Sequence, residues 1–328
     1  MSITSRGILS AAYPVDAVIA QQVRDRILDD KTHRGALLIA PAFNVASTDG
    51  TYPVLSTPQI RDIDDDPVSP IAFGAPLSDA QLIYTARSYS LKRWDGGKFL
   101  LPTPVAASYQ TNGMDAAAAL ADQFASSFYT AHAYKVYSAL NATANYNGGA
   151  STHQYDPGNV TSATFPLTVE LQKVKSRFRR DGVDSPNVVV MSSDVFGYLL
   201  QNDFVRNVST APRQDVIASS VAPLEAFMAA FFESPSLKVV IADDAYITSG
   251  TETSLFTGRC AFLRVAENGA GPSWCNTIMM TGESGVDLFG VRSEYSNERD
   301  GMWYFSDSYW DVHQGTPTAG VLWKDLLS

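Results

Sequence analysis

Between Met114 and Tyr146 the chain reads as one long helix, and it follows directly on a segment that reads as an arm folding out and back. Leu120, Phe124, Phe128 and Ala131 recur at intervals of three and four, the spacing of a single helical face. Thr111 and Asn112 offer N-cap oxygens, Asp115 puts a carboxylate at the positive end of the helix dipole, and Asn147-Gly148-Gly149 supplies the stop. Tyr129, Lys135 and Tyr137 are assigned to the opposite face, which makes the helix too polar for a bilayer. A long helix with a modest apolar stripe, beside a protruding arm, points to a building block rather than a pocket.

The arm is the region Ala46 to Pro104, rich in Pro, Asp, Ser and Thr. Thr51–Asp62 and Leu82–Arg93 read as extended, with Asp64-Asp65-Asp66-Pro67 and Pro70 as breakers between them. Such a segment has little apolar surface of its own to bury. It is expected to order against a neighbouring subunit, because long structureless stretches inside compact domains are uncommon and usually functional.

The rest predicts a mixed α/β domain around a central sheet. Helices are expected at Asp16–Leu28, Thr168–Arg180, Ser193–Leu200 capped by Ser192, and Leu224–Phe232 with Pro223 in its first turn. Strands are expected at Leu37–Val45, Val188–Met191, Leu237–Ile241, Arg259–Val265 and Thr277–Thr281. Val286–Tyr295 and Met302–Val312 should pair across a turn at Asp300-Gly301, and Gly320–Leu326 should form a final strand.

Composition excludes several classes. A chain of 328 residues with 45% hydrophobic and 18% charged residues has enough apolar material for a real core. A net charge of −10 argues against tight nucleic-acid binding, which needs clustered Lys and Arg. Cys260 and Cys275 are the only cysteines; without a CxxC they read as two buried or free thiols, although their predicted strands are adjacent in sequence. The first twenty residues lack a signal pattern, and the longest apolar run, Ala36 to Phe43, is too short to span a membrane, so the expectation is a cytoplasmic product.

Catalytic motifs fail one by one. Asp62-Ile63-Asp64-Asp65-Asp66 begins like a calcium loop, but Pro67 stands where Gly is needed and Phe73 where Glu is needed. Gly282-Glu283-Ser284-Gly285 lacks the second glycine of a nucleophile elbow, since Val286 occupies it. Gly96-Gly97-Lys98 is followed by Phe99, so the hydroxyl of a phosphate loop is missing, and Gly269-Ala270-Gly271 precedes Pro272 rather than a helix. His33, His132, His153 and His313 have no partners at metal-ligand spacing, and His132 reads as a packing or surface residue. Asp243-Asp244 follows an apolar strand and reads as a turn cap. Trp303, Tyr304, Phe305, Tyr309 and Trp310 read as a half-buried strand with cross-strand aromatic pairs. The expectation is no catalytic residue, no metal site and no cofactor.

The order of parts resembles the major capsid protein of tailed bacteriophages, the Hong Kong 97-like shell fold. Three passages carry the likeness: the arm with Phe73-Gly74-Ala75-Pro76 and Tyr84 to Lys92; Ser185 to Leu200; and Val291-Arg292-Ser293-Glu294-Tyr295 through Trp310 to Ala319-Gly320-Val321-Leu322-Trp323-Lys324-Asp325. The resemblance implies an α+β fold in five segments. These are an N-terminal arm (1–45), an extended loop (46–104), a peripheral domain (105–182) with its spine helix at 114–146, an axial domain (183–285), and C-terminal strands (286–328) returning to the peripheral domain.

It further implies a structural protein, not an enzyme, that forms hexamers and pentamers with itself and encloses double-stranded DNA without specific binding. Its place would be the virion, after assembly in the host cytoplasm, with no membrane contact. Separate scaffolding, portal and decoration proteins are the further partners it suggests; residues 1–45 are too few for the scaffold segment that some members carry. Lys92 and Lys98 lie in or near the arm, but no matching asparagine or acid is found, so no covalent crosslink is expected. The alternatives are an encapsulin-type nanocompartment shell and a cytoplasmic α/β enzyme whose site would start at Asp243 and Asp244.

Overall fold

The computed structural model describes residues 34–55, 84–111, 116–146, 153–162, 165–202, 205, 221–242, 245–248, 251–254, 256–266, 272–280 and 290–327. In chain order the elements are α1 (Arg34–Ile39), β1 (Ala42–Val45), β2 (Asp49–Leu55), β3 (Tyr84–Ser90), β4 (Lys92–Pro102), α2 (Thr103–Thr111) and α3 (Ala116–Asn141). A 3-10 turn at Thr143–Tyr146 follows, then β5 (Gln154–Tyr155), α4 (Leu167–Arg180), β6 (Val188–Met191), α5 (Ser193–Gln201), α6 (Ala222–Phe232) and β7 (Lys238–Ile241). The remainder is strand: β8 (Ala245–Thr248), β9 (Thr251–Ser254), β10 (Cys260–Leu263), β11 (Cys275–Met280), β12 (Gly290–Ser296), β13 (Gly301–Gln314) and β14 (Gly320–Trp323).

Two five-stranded sheets carry the architecture. In the first, β13 is the axis: β4 pairs with Gly301–Trp310 of β13 along one edge. On the other edge β12 and β11 lie end to end, and β1 extends the sheet by pairing in parallel with β11. The second runs β5-β14-β10-β6-β7. Every residue of β6, β10 and β14 is buried, as the continuous apolar runs Val188-Val189-Val190-Met191 and Val321-Leu322-Trp323 require of strands covered on both faces. Helix α4 packs Leu171, Val174 and Phe178 into the core of this sheet.

Helix α3 joins the two. Ala121, Phe124, Phe128 and Tyr129 pack with Met279 and Trp310 of the first sheet. One to three turns further on, Ala133, Val136, Tyr137 and Leu140 enter the main core beside the second sheet and α1. The apolar stripe is therefore wider than its sequence pattern implies. Tyr129 and Tyr137, assigned to the exposed face, are buried because α3 is covered by β-sheet on one side and by α1 on another.

Several expectations are corrected. Leu37–Ile39 is the end of helix α1, not part of a strand; a short apolar run without periodicity fits either state, and packing of Ala36 and Ile39 into the core chose the helix. Thr111 ends α2 rather than capping α3, and Thr143–Tyr146 is a separate 3-10 turn. Ser192 takes the expected N-cap position of α5, its carbonyl accepting the Phe196 N–H at 2.9 Å, but its hydroxyl does not bond to the helix and instead accepts the backbone N–H of Gly258 at 3.2 Å. Cys260 and Cys275, by contrast, are both buried and free as expected, and their strands lie in different sheets.

The C-terminal strands do not share one destination. Strands β12 and β13 join the first sheet, whereas β14 inserts between β5 and β10 of the second. Strand β11, from the 183–285 segment, lies in the first sheet. The helix Asp16–Leu28, the breakers at Asp64–Pro70, the Gly282–Gly285 turn and Asp243-Asp244 fall outside the described residues.

The crossing between sheets is tight. Gly315 N donates to Trp274 O at 2.8 Å and Thr316 N to Ser273 O at 2.7 Å, and a β-carbon on Gly315 would overlap the Ser273 carbonyl oxygen. A backbone atom cannot swing aside as a side chain can. Gly315→Ala is expected to lower stability by about 2–3 kcal/mol, read as a lower urea midpoint with unchanged slope.

Candidate assembly surface

The arm is a hairpin of its own. Strands β2 and β3 pair antiparallel from Asp49↔Ser90 to Leu55↔Tyr84 and form a two-stranded sheet outside both larger ones. The expected out-and-back path is thus present at its base. Its attachment is specific. Arg87 Nη1 donates to Gln314 O at 2.9 Å, and Tyr52 Oη donates to the same oxygen at 3.4 Å. Tyr52, Tyr89 and Leu91 pack with Ile278 in a small separate cluster. Leu91 N donates to Thr48 O at 2.7 Å, closing the hairpin where β4 begins.

Strand β4 is then riveted to α3. Trp94 stacks on Trp310 with ring centroids 4.7 Å apart, and its indole N–H donates to Trp310 O at 2.7 Å. Lys135 of α3 stands 4.7 Å over the Trp94 ring and pairs with Asp311 at 2.6 Å. The expected aromatic pairing of β13 is realised, but its main partner, Trp94, comes from the arm's returning strand, a pairing that spacing within β13 cannot show.

His132 lies under this rivet, fully buried. Its ring stacks on Phe128 at 5.4 Å and meets Trp310 edge-on at 5.5 Å. The Thr277 hydroxyl donates to Ala40 O at 2.8 Å, so its oxygen accepts from His132 Nε2–H at 2.7 Å, and Nδ1 has no hydrogen-bond partner among the described residues. A second proton on Nδ1 would have no acceptor, and burial holds the pKa down to about 3. This is a neutral packing histidine, as its sequence context suggested.

A second polar cluster ties β5 to α4. His153 Nε2 lies 2.8 Å from Asp181 Oδ2, a contact that lacks the alignment of a hydrogen bond. Burial lowers the His153 pKa and the Asp181 carboxylate opposes that. Arg177 stacks 3.9 Å over Tyr155, whose hydroxyl accepts the Trp323 indole N–H at 2.9 Å. Lys175 reaches Phe231 O at 3.0 Å and Glu233 at 2.8 Å, satisfying the end of α6, where Glu233 takes a left-handed conformation.

These groups brace; none is arranged to react. Burial pushes the Cys260 and Cys275 thiols up, the latter to about 12, so neither is a nucleophile at neutral pH. Among the described residues no group of three His, Cys, Asp or Glu is placed to hold a metal ion, and no helix is long and apolar enough to cross a membrane.

Outside these braces, β4 and β13 carry an open face that sequence reasoning missed. Lys98 Nζ stands 4.1 Å from the centre of the Trp303 ring and 4.8 Å from that of Phe305, and Arg299 approaches Trp303 at 5.8 Å. Lys98 and Arg299 are exposed, and Trp303, Phe305 and Leu100 are half-buried. The alternation of β13 predicts Trp303 and Phe305 on one face; that Lys98 faces Phe305 depends on strand register.

No family model and no curated protein sequence matches the chain. Solved structures do. A phage-related protein from Bordetella bronchiseptica RB50 is similar with a TM-score of 0.70, covering 96% of this chain and 98% of that one at 15% identity. A virus-like particle from Pyrococcus furiosus is similar at a TM-score of 0.52 and 8% identity, over 94% and 98% of the two chains. The capsid of cyanophage P-SCSP1u is similar at 0.51 and 8% identity, over 87% and 86%. The chain therefore has the α+β fold of a capsid-type shell subunit, the Hong Kong 97-like fold that its sequence resembles.

Proposed function

We propose that this chain is a major capsid protein that assembles with itself into hexamers and pentamers and builds the icosahedral head around the DNA genome of a tailed phage. The observation that carries this reading is an arm hairpin, β2–β3, standing outside both sheets of a subunit with a shell fold. A two-stranded hairpin is marginal by itself in water, so it gains most of its stability from a surface it lies on. Laid over a neighbour, it adds buried area of the kind that specific contacts need, on the order of 1,000 Å². Many such contacts close a symmetric shell even when each is weak.

On this reading, α3 and the first sheet form the peripheral domain, and β6, β7, β10 and their helices form the axial domain, with β14 as its closing strand. The subunit acts in the virion, with scaffolding and portal proteins as partners during assembly, and has no catalytic role. The acidic balance of −10 limits non-productive adhesion to packaged DNA.

The test is expression of the full chain alone, with particle mass from light scattering and negative-stain images of the same fraction. Megadalton spheres, tubes or capsomer rings are expected. A small discrete oligomer that persists across protein concentration, salt and crowding would overturn the reading. Protein cargo inside closed particles, in place of nucleic acid, would favour the encapsulin-type shell.

A further inference from the structure

We propose that His153 and Asp181 form an acid-operated latch that fastens β5 to the second sheet and releases it when His153 takes up a proton. The released subunit presents an open β14 edge, so the latch sets which surface the chain offers at a given pH.

Strand β5 is the shortest strand of that sheet. It has two residues, lies at the sheet edge and pairs in parallel with β14. Leu322 N donates to His153 O at 2.8 Å and Lys324 N to Tyr155 O at 3.1 Å. So short a ladder is marginal by itself, and side chains must hold it. Two side chains do so. The Tyr155 hydroxyl accepts the Trp323 indole N–H and donates to Glu170 O at 3.3 Å, and Arg177 covers its ring. His153 is fully buried, with its Nε2 against Asp181 at the end of α4. Strand β14 stays in place without β5, because Gly320–Trp323 pairs along its other edge with β10. Release of β5 is therefore a local event, cheaper than unfolding the sheet.

The cluster has little room for another charge. Both His153 ring nitrogens, Asp181 Oδ2, Glu170 Oε2 and one Arg177 nitrogen are buried without an aligned hydrogen bond among the described residues, half of all such side-chain atoms there. A partly satisfied network of this kind is the first place a fold gives way. Burial weighs most against a charged His153, and Arg177 and Arg180 of α4 add to it. Asp181 and the Gly320 carbonyl of β14 offset this only in part. Of the other charged or titratable groups on these elements, Glu170 is engaged by Lys173 at 2.7 Å, and burial pushes the Tyr155 hydroxyl up to about 12, so it keeps its proton. The latch is thus complete above the ordinary histidine value of 6.5 and weakens as pH falls below it. A proton on His153 sets a third cation beside Arg177 and Arg180, and the ring regains solvation by leaving with β5. The amides of Leu322 and Lys324 then lose their acceptors and stand on an unpaired edge.

The test is amide hydrogen exchange of the full-length chain at pH 7.5 and 5.0, with times scaled to the intrinsic rates and single amides resolved by electron-transfer fragmentation. Leu322 and Lys324 should lose protection about tenfold between the two pH values. At pH 5.0 they should exchange at least about tenfold faster than the amides of β10, which open only with the whole sheet. His153→Gln keeps a polar side chain that does not titrate, so its Leu322 and Lys324 should hold their protection within about twofold. Asp181→Asn removes the carboxylate that favours the charged ring, so the acid loss should deepen toward about thirtyfold, the limit set by the interval from 6.5 to 5.0. This second variant decides the matter if His153→Gln does not fold. An undiminished loss in His153→Gln, no loss in the wild type, an equal or shallower loss in Asp181→Asn, or exchange of Leu322 and Lys324 in step with β10 each overturns the latch.

Discussion

Replacing Trp310 with alanine is expected to cost about 4 kcal/mol of subunit stability and to abolish the accumulation of soluble, assembly-competent protein. Trp310 is 1% exposed and touches two neighbouring elements at once. It stacks with Trp94 of β4, meets Phe128 of α3 edge-on at 5.2 Å, and closes over His132. Its loss opens a cavity at the joint between the arm's returning strand and the long helix, and the Trp94 ring loses its partner.

The size of the effect follows from packing, because the Trp310 indole N–H makes no hydrogen bond among the described residues. Trp310→Phe should therefore cost far less, about 1–2 kcal/mol. Urea unfolding of the unassembled subunit checks both. Equal losses for Phe and Ala would show that something other than packing volume holds this joint.

Acidification is expected to destabilise the unassembled subunit through His132. The folded-state pKa of about 3 lies below the ordinary histidine value of 6.5, so the unfolded chain binds the proton more readily. The contribution of the neutral ring is intact above pH 6.5 and is lost progressively as pH falls from 6.5 toward 3. At pH 4.5 the loss amounts to about 3 kcal/mol. His132→Gln keeps a donor for Thr277 and removes the titration. Between pH 7.5 and 4.5 the stability difference between wild type and H132Q should move by about that amount in favour of H132Q. His153 and His313, whose pKa values burial also lowers, are common to both proteins and cancel. An unchanged difference would mean that His132 is hydrated or paired.

Elements with strong local signals were legible before any coordinates. Val188-Val189-Val190-Met191 is a strand in any context, because a short run of β-branched residues bounded by Pro186-Asn187 and Ser192-Ser193 has few other options. Leu171, Val174 and Phe178 keep helical period, and α4 is found within one residue of its expected limits. The run Ala36 to Phe43 was ambiguous, because it is apolar without period, and its helical half was settled by α3 lying against it. Pro104, next to the first residue of α2, was a helix-start signal left unused, since the Pro-rich stretch before it reads as loop.

The functional surface divides along the same line. An extended, acidic, weakly apolar arm beside a long helix, and the absence of any complete catalytic motif, are properties of local sequence. They point to an assembling subunit because such an arm has too little surface of its own to bury. Which residues hold the arm to its own subunit depends on register and on contacts between residues more than 200 positions apart. Arg87 meets Gln314, Trp94 meets Trp310, and Lys98 faces Phe305 only because β13 runs antiparallel to β4 in one alignment. The strand β14 shows the limit most plainly: its composition made it a buried strand, but the sheet it entered was decided by the tight passage at Gly315, where one backbone must slide past another. Local sequence determined the kinds of elements and the character of the surface, because propensity and period act over a few residues. Tertiary structure decided the partners, because long-range pairing is a choice among apolar faces that single segments describe equally well.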